Sequence, residues 1–252
     1  MASAAGRFVR WDLMAGDGEA AEAFYSALFG WSIEKQAMGG FTMRTIRCAG
    51  ETLGAIVPLD AAVMPSHWMT YVAVDDIEAA GERAVAAGGA VCVPPTMIPG
   101  LGRFGVFEDP CGGYFSPVEL LEAPALHARP AAGRFCWSQL LCSDVAKVAP
   151  FYRAVFGWEM APMPGQAAPT WVVSLDGAPV ASVMQKPPVV EARDAWLPYV
   201  AVADCGASEA QARALGAKVW VASTKLPGMG VFAVLADPVG AQVALWEDAG
   251  EG

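Results

Sequence analysis

An internal repeat that runs through most of the chain constrains the fold more than any other feature. Three short motifs recur 127 positions later: Arg7-Phe8, Phe24-Tyr25 and Phe29-Gly30-Trp31 match Arg134-Phe135, Phe151-Tyr152 and Phe156-Gly157-Trp158. Three more recur 128 positions later: Tyr71–Val74, Pro99-Gly100 and Asp109-Pro110 match Tyr199–Val202, Pro227-Gly228 and Asp237-Pro238. An offset that changes by a single residue over this distance indicates a tandem duplication of one domain.

The segment between the two copies has the composition of a linker. It spans residues 122–133 and contains two prolines and many alanines, which favour an extended connection over a packed element. We therefore predict two domains, residues 1–126 and 127–252. His127 falls in this linker, and we expect it to be solvated.

Each copy divides again into two modules with the same order of elements. In the first module, alternating residues 8–14 predict a strand. Asp17 is a suitable helix N-cap, the apolar spacing around Phe24 predicts a helix, and Gly30 is placed to end it. Further strand patterns follow, so the sequence predicts an α+β protein with four βαβββ modules. In the third module Pro150 lies inside the predicted helix, so we expect a late start, a kink or a tolerated distortion.

Composition and charge narrow the classes of partner. The chain has 252 residues, is 55% hydrophobic and 17% charged, and carries a net charge of −10, which together predict a packed globular protein that repels nucleic acid and anionic membranes. No apolar stretch approaches the roughly 20 residues of a membrane span, and no signal peptide is visible. The six cysteines form no CxxC pair, so we predict reduced thiols and a cytoplasmic location.

The modules and their motifs resemble those of the vicinal-oxygen-chelate superfamily, which contains glyoxalases, bleomycin-resistance proteins and extradiol dioxygenases. The resemblance rests on the helix ending Phe-Tyr-x3-Phe-Gly-Trp in both copies and on the turns that begin at Asp109-Pro110 and Asp237-Pro238. It implies that paired modules curl their mixed sheets into two U-shaped troughs. In metal-dependent members the trough holds a divalent ion, bound by His and Glu on the first and last strands.

The positions that correspond to these ligands carry other residues in this sequence. The resemblance places them at Arg10, Met69 and Ser116 in the first copy and at Trp137, Leu197 and Ala244 in the second. Hard divalent ions need carboxylate or imidazole donors, so we predict no catalytic metal and no other cofactor. A divalent metal remains the alternative, because a shift of two residues along the strands brings in Asp12 and His67, although without a convincing third ligand.

Strand alternation predicts which side chains face the troughs. For the first trough we expect Phe8, Arg10, Asp12, Met14, His67, Met69, Tyr71, Tyr114 and Ser116, with Arg103 able to swing in from its loop. For the second trough we expect Phe135, Trp137, Gln139, Leu197, Tyr199, Gln242 and Trp246. The opposite side chains, such as Trp11 and Leu13, should pack under the helices. Arg10 and Asp12 could also form a structural ion pair, and the aromatics could simply fill a collapsed trough.

The leading interpretation is a protein that binds a small organic molecule in its troughs without a catalytic metal. One alternative is a metal-dependent lyase or dioxygenase of the same superfamily, so whether the protein is an enzyme stays open. Another is a protein-interaction module, which would show filled troughs and an exposed apolar patch. The sequence also leaves open the oligomeric state and whether modules pair within a copy or across the two copies.

Overall fold

The computed structural model describes residues 4–38, 40–122, 131–166, 168–187 and 193–250. The first copy contains β1 (Phe8–Ala15), α1 (Gly18–Phe29), β2 (Ser32–Met38), β3 (Phe41–Cys48), β4 (Glu51–Pro58), β5 (His67–Ala73), α2 (Ile77–Ala86), β6 (Ala90–Ile98), β7 (Gly102–Glu108) and β8 (Tyr114–Leu120). The second copy contains β9 (Phe135–Cys142), α3 (Val145–Phe156), β10 (Glu159–Pro162), β11 (Thr170–Leu175), β12 (Ala178–Gln185), β13 (Ala195–Ala201), α4 (Cys205–Ala214), β14 (Lys218–Leu226), β15 (Gly230–Ala236) and β16 (Gln242–Asp248). The order strand, helix and three strands occurs four times, as predicted.

Each copy forms one mixed eight-stranded sheet. The first sheet has the order β2-β3-β4-β1-β5-β8-β7-β6, and the second has the equivalent order β10-β11-β12-β9-β13-β16-β15-β14. Within each module the first strand runs parallel to the last, as in the pairs Leu13↔Ile56 and Tyr71↔Ser116. The remaining strands of a module pair antiparallel. The prediction of an α+β fold with four βαβββ modules is confirmed.

The helix ends follow the local signals in the sequence. Asp17 and Asp144 accept hydrogen bonds from backbone amides in the first turns of α1 and α3, and Gly30 and Gly157 end these helices with φ of 69° and 73°. A positive φ is readily adopted only by glycine. Helix α3 begins directly after Asp144 and continues through Pro150. The helix therefore does not start late, and the proline is tolerated inside it.

The chain packs as two compact units, each of which takes one module from each copy. Unit 1 comprises residues 1–10, 69–126 and 138–196, and unit 2 comprises residues 11–68, 127–137 and 197–252. Within each unit, core packing therefore joins a module of the first copy to a module of the second. The predicted domain boundary at residue 126, like His127, lies outside the described residues, and the division at that point stays a prediction.

The core of unit 1 centres on a hydrogen-bonded tyrosine that lies between aromatic rings. Tyr152 on α3 is fully buried and stacks on Trp158 at a ring distance of 5.4 Å. Its hydroxyl donates to Asp109 Oδ2 at 2.9 Å and accepts from Trp196 Nε1 at 3.0 Å. Asp109 also accepts from the backbone amides of Cys111 and Gly113. Four hydrogen bonds therefore converge on one buried carboxylate and one buried hydroxyl.

Unit 2 contains the same arrangement with the roles of the copies exchanged. The Tyr25 hydroxyl on α1 donates to Asp237 Oδ2 at 2.8 Å and accepts from Trp68 Nε1 at 3.1 Å. Burial, followed by the nearby carboxylate, raises the pKa of Tyr25 and of Tyr152 well above the ordinary value. Burial likewise raises the pKa of Asp109 and Asp237. In each unit the tyrosine of a Phe-Tyr motif therefore bonds to the aspartate of an Asp-Pro turn, and these two repeated motifs together form one buried contact.

Two aromatic residues that we expected in the troughs lie in these cores instead. Phe8 contacts Trp158 and Trp196 in unit 1, with ring distances of 5.5 and 5.1 Å. Phe135 stacks on Trp11 in unit 2 at 4.5 Å. The prediction that Phe8 and Phe135 face the troughs is therefore wrong. Strict alternation fails at the start of these strands because an aromatic ring there can bury its surface against other rings.

No helix among the described residues is long and apolar enough to cross a membrane.

Candidate ligand-binding site

A cluster of apolar side chains covers one face of the last module in unit 2, and we call it the aromatic face. It comprises Cys136 and Trp137 on β9, Leu197 and Tyr199 on β13, Phe232 and Val234 on β15, and Ala244 and Trp246 on β16. Alternate residues on β15 and β16, such as Ala233 and Leu245, belong to the core of the same unit. The cluster is therefore the face of these strands that points away from the core.

The aromatic face has a buried floor and a partly exposed rim. Leu197, Tyr199 and Ala244 are buried, whereas Trp137 and Trp246 are only partly buried. Burial raises the pKa of Tyr199 above its ordinary value and raises that of the Cys136 thiol to about 12. Both groups are therefore neutral at physiological pH. The face offers ring surfaces without charge, which suits an apolar, planar molecule.

The equivalent face in unit 1 is more polar. Arg10 occupies the position of Trp137, and its guanidinium carbon lies 5.9 Å from the centre of the Tyr71 ring, in a cation–π arrangement. Tyr71 contacts Phe104 at a ring distance of 6.2 Å. Met69 and Tyr71 are buried, and Tyr114 is partly buried beneath the guanidinium of Arg193 at 4.7 Å. The face of unit 1 therefore carries a guanidinium where the aromatic face carries an indole.

Two candidate ligand-binding residues of the first copy are placed differently from our expectation. Ser116 is fully buried, and its hydroxyl donates to the carbonyl oxygen of Gly105 at 2.6 Å. It has no surface to offer a ligand. Arg103 bonds to Glu78 on α2 and lies 3.8 Å from Glu119 on β8. The next residue, Phe104, contacts Tyr71, so Arg103 points to the opposite face of β7. There the carboxylates of Glu78 and Glu119 pair with its guanidinium.

The other polar residues that we predicted for the troughs mostly form hydrogen bonds with backbone groups or with side chains of adjacent strands. In unit 2, Asp12 is 3% exposed and accepts from the Ala55 amide at 2.7 Å. The partly buried His67 has Nδ1 at 2.9 Å from the Pro65 carbonyl oxygen. In unit 1, Gln139 donates to the Ser182 hydroxyl at 3.2 Å. Gln242, at the start of β16, is exposed.

The residues at the superfamily's usual metal positions do not fit a divalent ion. The buried Ser116 hydroxyl already donates its hydrogen bond to the Gly105 carbonyl oxygen. The side chains of Trp137, Leu197 and Ala244 carry no carboxylate or imidazole. Among the described residues, the groups of three His, Cys, Asp or Glu donors that could hold an ion are Cys111, Cys142 and Asp194, and Asp76, Glu78 and Glu119. Neither group includes Asp12 or His67.

A structural role for Asp12 leads to a stability prediction. Replacing Asp12 with alanine leaves the buried Ala55 amide without this acceptor, so we expect unit 2 to lose about 1–3 kcal/mol. Asp12→Asn keeps an oxygen in the same place and should cost less. Urea unfolding followed by tryptophan fluorescence measures both variants. Unchanged stability of Asp12→Ala together with loss of a bound metal would instead support the metal-dependent alternative.

A further apolar surface lies away from these strand faces, in unit 1. A groove of about 550 Å³ runs between α2 and β6 and is lined by Ile77, Glu78, Gly81, Glu82, Val85, Ala86, Val91, Pro95 and Phe107. Val85 is 58% exposed, and Met97 on β6 is 55% exposed. The exposed apolar patch expected of a protein-interaction module is therefore present on this side of the unit.

Sequence reasoning missed three members of the aromatic face, namely Cys136, Phe232 and Val234. The signal was present in the alternation along β15, where Phe232 and Val234 alternate with the core residues Ala233 and Leu235. Cys136 was predicted only to be a reduced thiol and was not placed on this face. Its thiol donates to the Tyr199 carbonyl at 3.5 Å, which ties β9 to β13.

Comparison with known families gives the same assignment for both copies. Residues 7–115 match the family described as the Glyoxalase/Bleomycin resistance protein/Dioxygenase superfamily. Residues 135–246 match the family described as Glyoxalase-like domain. The two matched regions contain the four helices of the described residues.

Two relatives are similar to this chain over about nine-tenths of their own length. CFP32 of Mycobacterium tuberculosis, whose name assigns it to the glyoxylases, is 32% identical over 240 residues, which cover 91% of this chain and 90% of the relative. The anthracycline biosynthesis protein DnrV of Streptomyces peucetius is 30% identical over 255 residues, which cover 94% and 91% of the two chains.

Solved structures share the fold at low sequence identity. The 2,2',3-trihydroxybiphenyl 1,2-dioxygenase of Sphingomonas wittichii strain RW1 superposes with a TM-score of 0.71 at 13% identity, over 97% of this chain and 91% of that one. The Mn(II)-bound glyoxalase of Novosphingobium aromaticivorans gives 0.66 at 14% identity, over 98% and 83%. With two family matches, full-length relatives and a shared fold, this chain belongs to the glyoxalase/bleomycin resistance protein/dioxygenase superfamily.

Proposed function

We propose that the protein binds a planar aromatic small molecule on the aromatic face and that this binding needs no metal ion. The observation that carries the proposal is the uncharged cluster of partly exposed rings, Trp137, Phe232 and Trp246, above a floor of Leu197, Tyr199 and Ala244. Aromatic rings stack on planar ligands with about 0.5–1.5 kcal/mol beyond the burial of area. A flat, largely apolar molecule would gain from several such contacts at once.

The relatives support a ligand of this chemical class. DnrV is named for the biosynthesis of anthracyclines, and it is similar to this chain along nearly its whole length. The dioxygenase from Sphingomonas wittichii is named for a hydroxylated biphenyl. Both names refer to molecules with aromatic rings, and the aromatic face is suited to such rings. A hydroxylated anthraquinone is therefore a suitable probe.

The metal-free part of the proposal rests on the chemistry of the side chains. The superfamily's usual ligand positions on this face hold Trp137, Leu197 and Ala244, which cannot coordinate a hard divalent ion. Asp12 and His67, the donors of the alternative lyase or dioxygenase, each contact the neighbouring backbone. The face binds and orients by contact, and the proposed role is binding without catalysis by a metal.

Calorimetric titration of the hydroxylated anthraquinone tests the proposal. We expect one binding event per chain that persists in EDTA, and we expect Trp137→Ala and Trp246→Ala each to weaken it at least about tenfold. Trp220→Ala is the matched control, because Trp220 lies on β14, is 55% exposed and is not part of the aromatic face. Equal affinity in all four proteins would contradict the proposal, and loss of binding in EDTA would favour the metal-dependent alternative.

A protein-interaction role is the second candidate, and one observation favours it. The apolar groove between α2 and β6 in unit 1 is lined in part by the exposed side chain of Val85. Exposed apolar patches of this kind commonly mark contact surfaces. This role does not use the aromatic face, so failure of the titration would leave it as the better explanation.

A further inference from the structure

Three metal-binding side chains meet in unit 1 at positions that the superfamily's usual metal site does not use. Cys142 is the last residue of β9, Cys111 lies in the turn between β7 and β8, and Asp194 directly precedes β13. Cys142 and Asp194 are buried, and Cys111 is half-buried. Their two sulfur atoms and one carboxylate oxygen all lie within 4.8 Å of one another.

These separations are close to those of a formed metal site. Any three atoms no more than 4.8 Å apart share a point within about 2.8 Å of each, whereas Zn–S bonds are about 2.3 Å and Zn–O bonds about 2.0–2.2 Å long. Movements of roughly half an ångström per donor would therefore complete the coordination. Rotation about the side-chain bonds of the half-buried Cys111 can provide much of that movement.

The charges around the donors balance for a divalent ion. Lys186 Nζ lies 2.7 Å from Asp194 Oδ1, and both side chains are largely buried. With two protonated thiols, this group of four side chains is neutral. A divalent ion that displaces two thiol protons into solvent leaves it neutral again, with two thiolates, one carboxylate, one ammonium and the ion. No uncompensated charge is buried in either state.

Comparison with unit 2 shows that the fold itself does not need these donors. The equivalent positions there hold Val239, Ala15, Ser66 and Leu59, in place of Cys111, Cys142, Asp194 and Lys186. Ser66 Oγ accepts from the Gly16 amide at 3.1 Å, just as Asp194 Oδ2 accepts from the Ser143 amide at 2.7 Å. One side-chain acceptor therefore suffices for the structure, and the two thiols and the buried ion pair of unit 1 are additional.

We propose that Cys111, Cys142 and Asp194 form a zinc-binding site in unit 1. Two thiolates and one carboxylate suit zinc, whereas magnesium and calcium prefer oxygen ligands alone. Three protein donors leave a fourth tetrahedral position for water or another small ligand. The proposal is independent of ligand binding to the aromatic face, because none of the three residues belongs to that face.

The thiols are expected to exchange protons for the ion. Burial, together with neighbouring acidic groups, raises the pKa of Cys142 to about 12 and also raises that of Cys111. Both thiols are therefore protonated at neutral pH in the absence of an ion. Zinc must compete with these two protons, so binding releases them to the solvent.

Cadmium is the probe for the test, because thiolate coordination of cadmium produces an ultraviolet charge-transfer band. The protein is reduced, stripped with EDTA and titrated with cadmium, and its zinc affinity is measured by competition with a coloured chelator. We expect one ion per chain. Cys111→Val and Cys142→Ala, which introduce the residues of unit 2, should each weaken zinc binding by about 100-fold or more.

Two further variants separate loss of ligands from loss of fold. Asp194→Ser combined with Lys186→Leu copies the hydrogen-bonding arrangement of unit 2, so this double variant should fold. It should nevertheless bind zinc more weakly than the unmodified protein, because it lacks the carboxylate donor. Cys92→Ser replaces an exposed cysteine outside the cluster and should bind zinc as the unmodified protein does. Equal zinc affinity in the unmodified protein and the Cys111→Val/Cys142→Ala variant would overturn the proposal.

Discussion

Replacing Asp237 with alanine is expected to destabilise unit 2 by about 3–5 kcal/mol. The carboxylate accepts hydrogen bonds from the Tyr25 hydroxyl and from the amides of Val239 and Ala241. Its removal leaves these three donors without their acceptor in the core of the unit, where water cannot easily replace it. Asp109→Ala should have an effect of similar size on unit 1, because Asp109 bonds to Tyr152 and to two amides in the same way.

Urea unfolding of the alanine variants measures this effect. Asp248→Ala is the control, because Asp248 is exposed at the end of β16, and exposed substitutions usually change stability by less than about 0.5 kcal/mol. Tyr25→Phe provides a second comparison, since it removes only the hydroxyl and should cost less than Asp237→Ala. A decrease of less than about 1 kcal/mol in the free energy of unfolding for both aspartate variants would contradict a major stabilising role of these contacts within each unit.

Alkaline pH is expected to destabilise both units steeply because of their buried tyrosines. Burial and the adjacent carboxylates raise the pKa of Tyr25 and Tyr152 well above 10 in the folded protein. The unfolded chain releases the phenolic protons near pH 10, whereas the folded chain retains them. The free energy of unfolding therefore falls as the pH rises through 10, with a slope that approaches about 1.4 kcal/mol per pH unit for each tyrosine above pH 11.

Tyrosine-to-phenylalanine variants isolate this contribution. We expect Tyr25→Phe to remove about 1 kcal/mol of the loss in the unfolding free energy of unit 2 between pH 10 and 11, because the unfolded tyrosine is only partly ionised in that range. Tyr152→Phe should do the same for unit 1. Urea midpoints at several pH values provide the slopes. Slopes that match those of the unmodified protein would mean that the tyrosines ionise in the folded state.

Local signals in the sequence predicted the modules well. The N-cap aspartates, the helix-ending Gly30 and Gly157, and the strand alternation depend on a few neighbouring residues, and the structure forms these elements at nearly the expected places. The repeat also showed that both copies would share one plan. These features are encoded within short segments, so they can be recognised without knowing which segments meet.

The contacts between distant segments could not be predicted in the same way. Tyr25 and Asp237 are 212 residues apart, and nothing local to either indicates the other. Arg103 was predicted to be able to swing inward, but it bonds to Glu78 on α2 and lies on the opposite face. Cys111, Cys142 and Asp194 follow no recognised metal-binding spacing. A comparison of the two copies could have identified them, because the equivalent positions hold Val239, Ala15 and Ser66.

The central claim is that the aromatic face binds a planar aromatic molecule without a metal ion. A native mass spectrum of the EDTA-dialysed protein mixed with the hydroxylated anthraquinone tests it most directly, because each peak reports the ligands and ions on one molecule. We expect one anthraquinone on chains that carry no metal, and loss of this adduct in the Trp137→Ala variant. An adduct found only on metal-carrying chains, or on none, would contradict the claim.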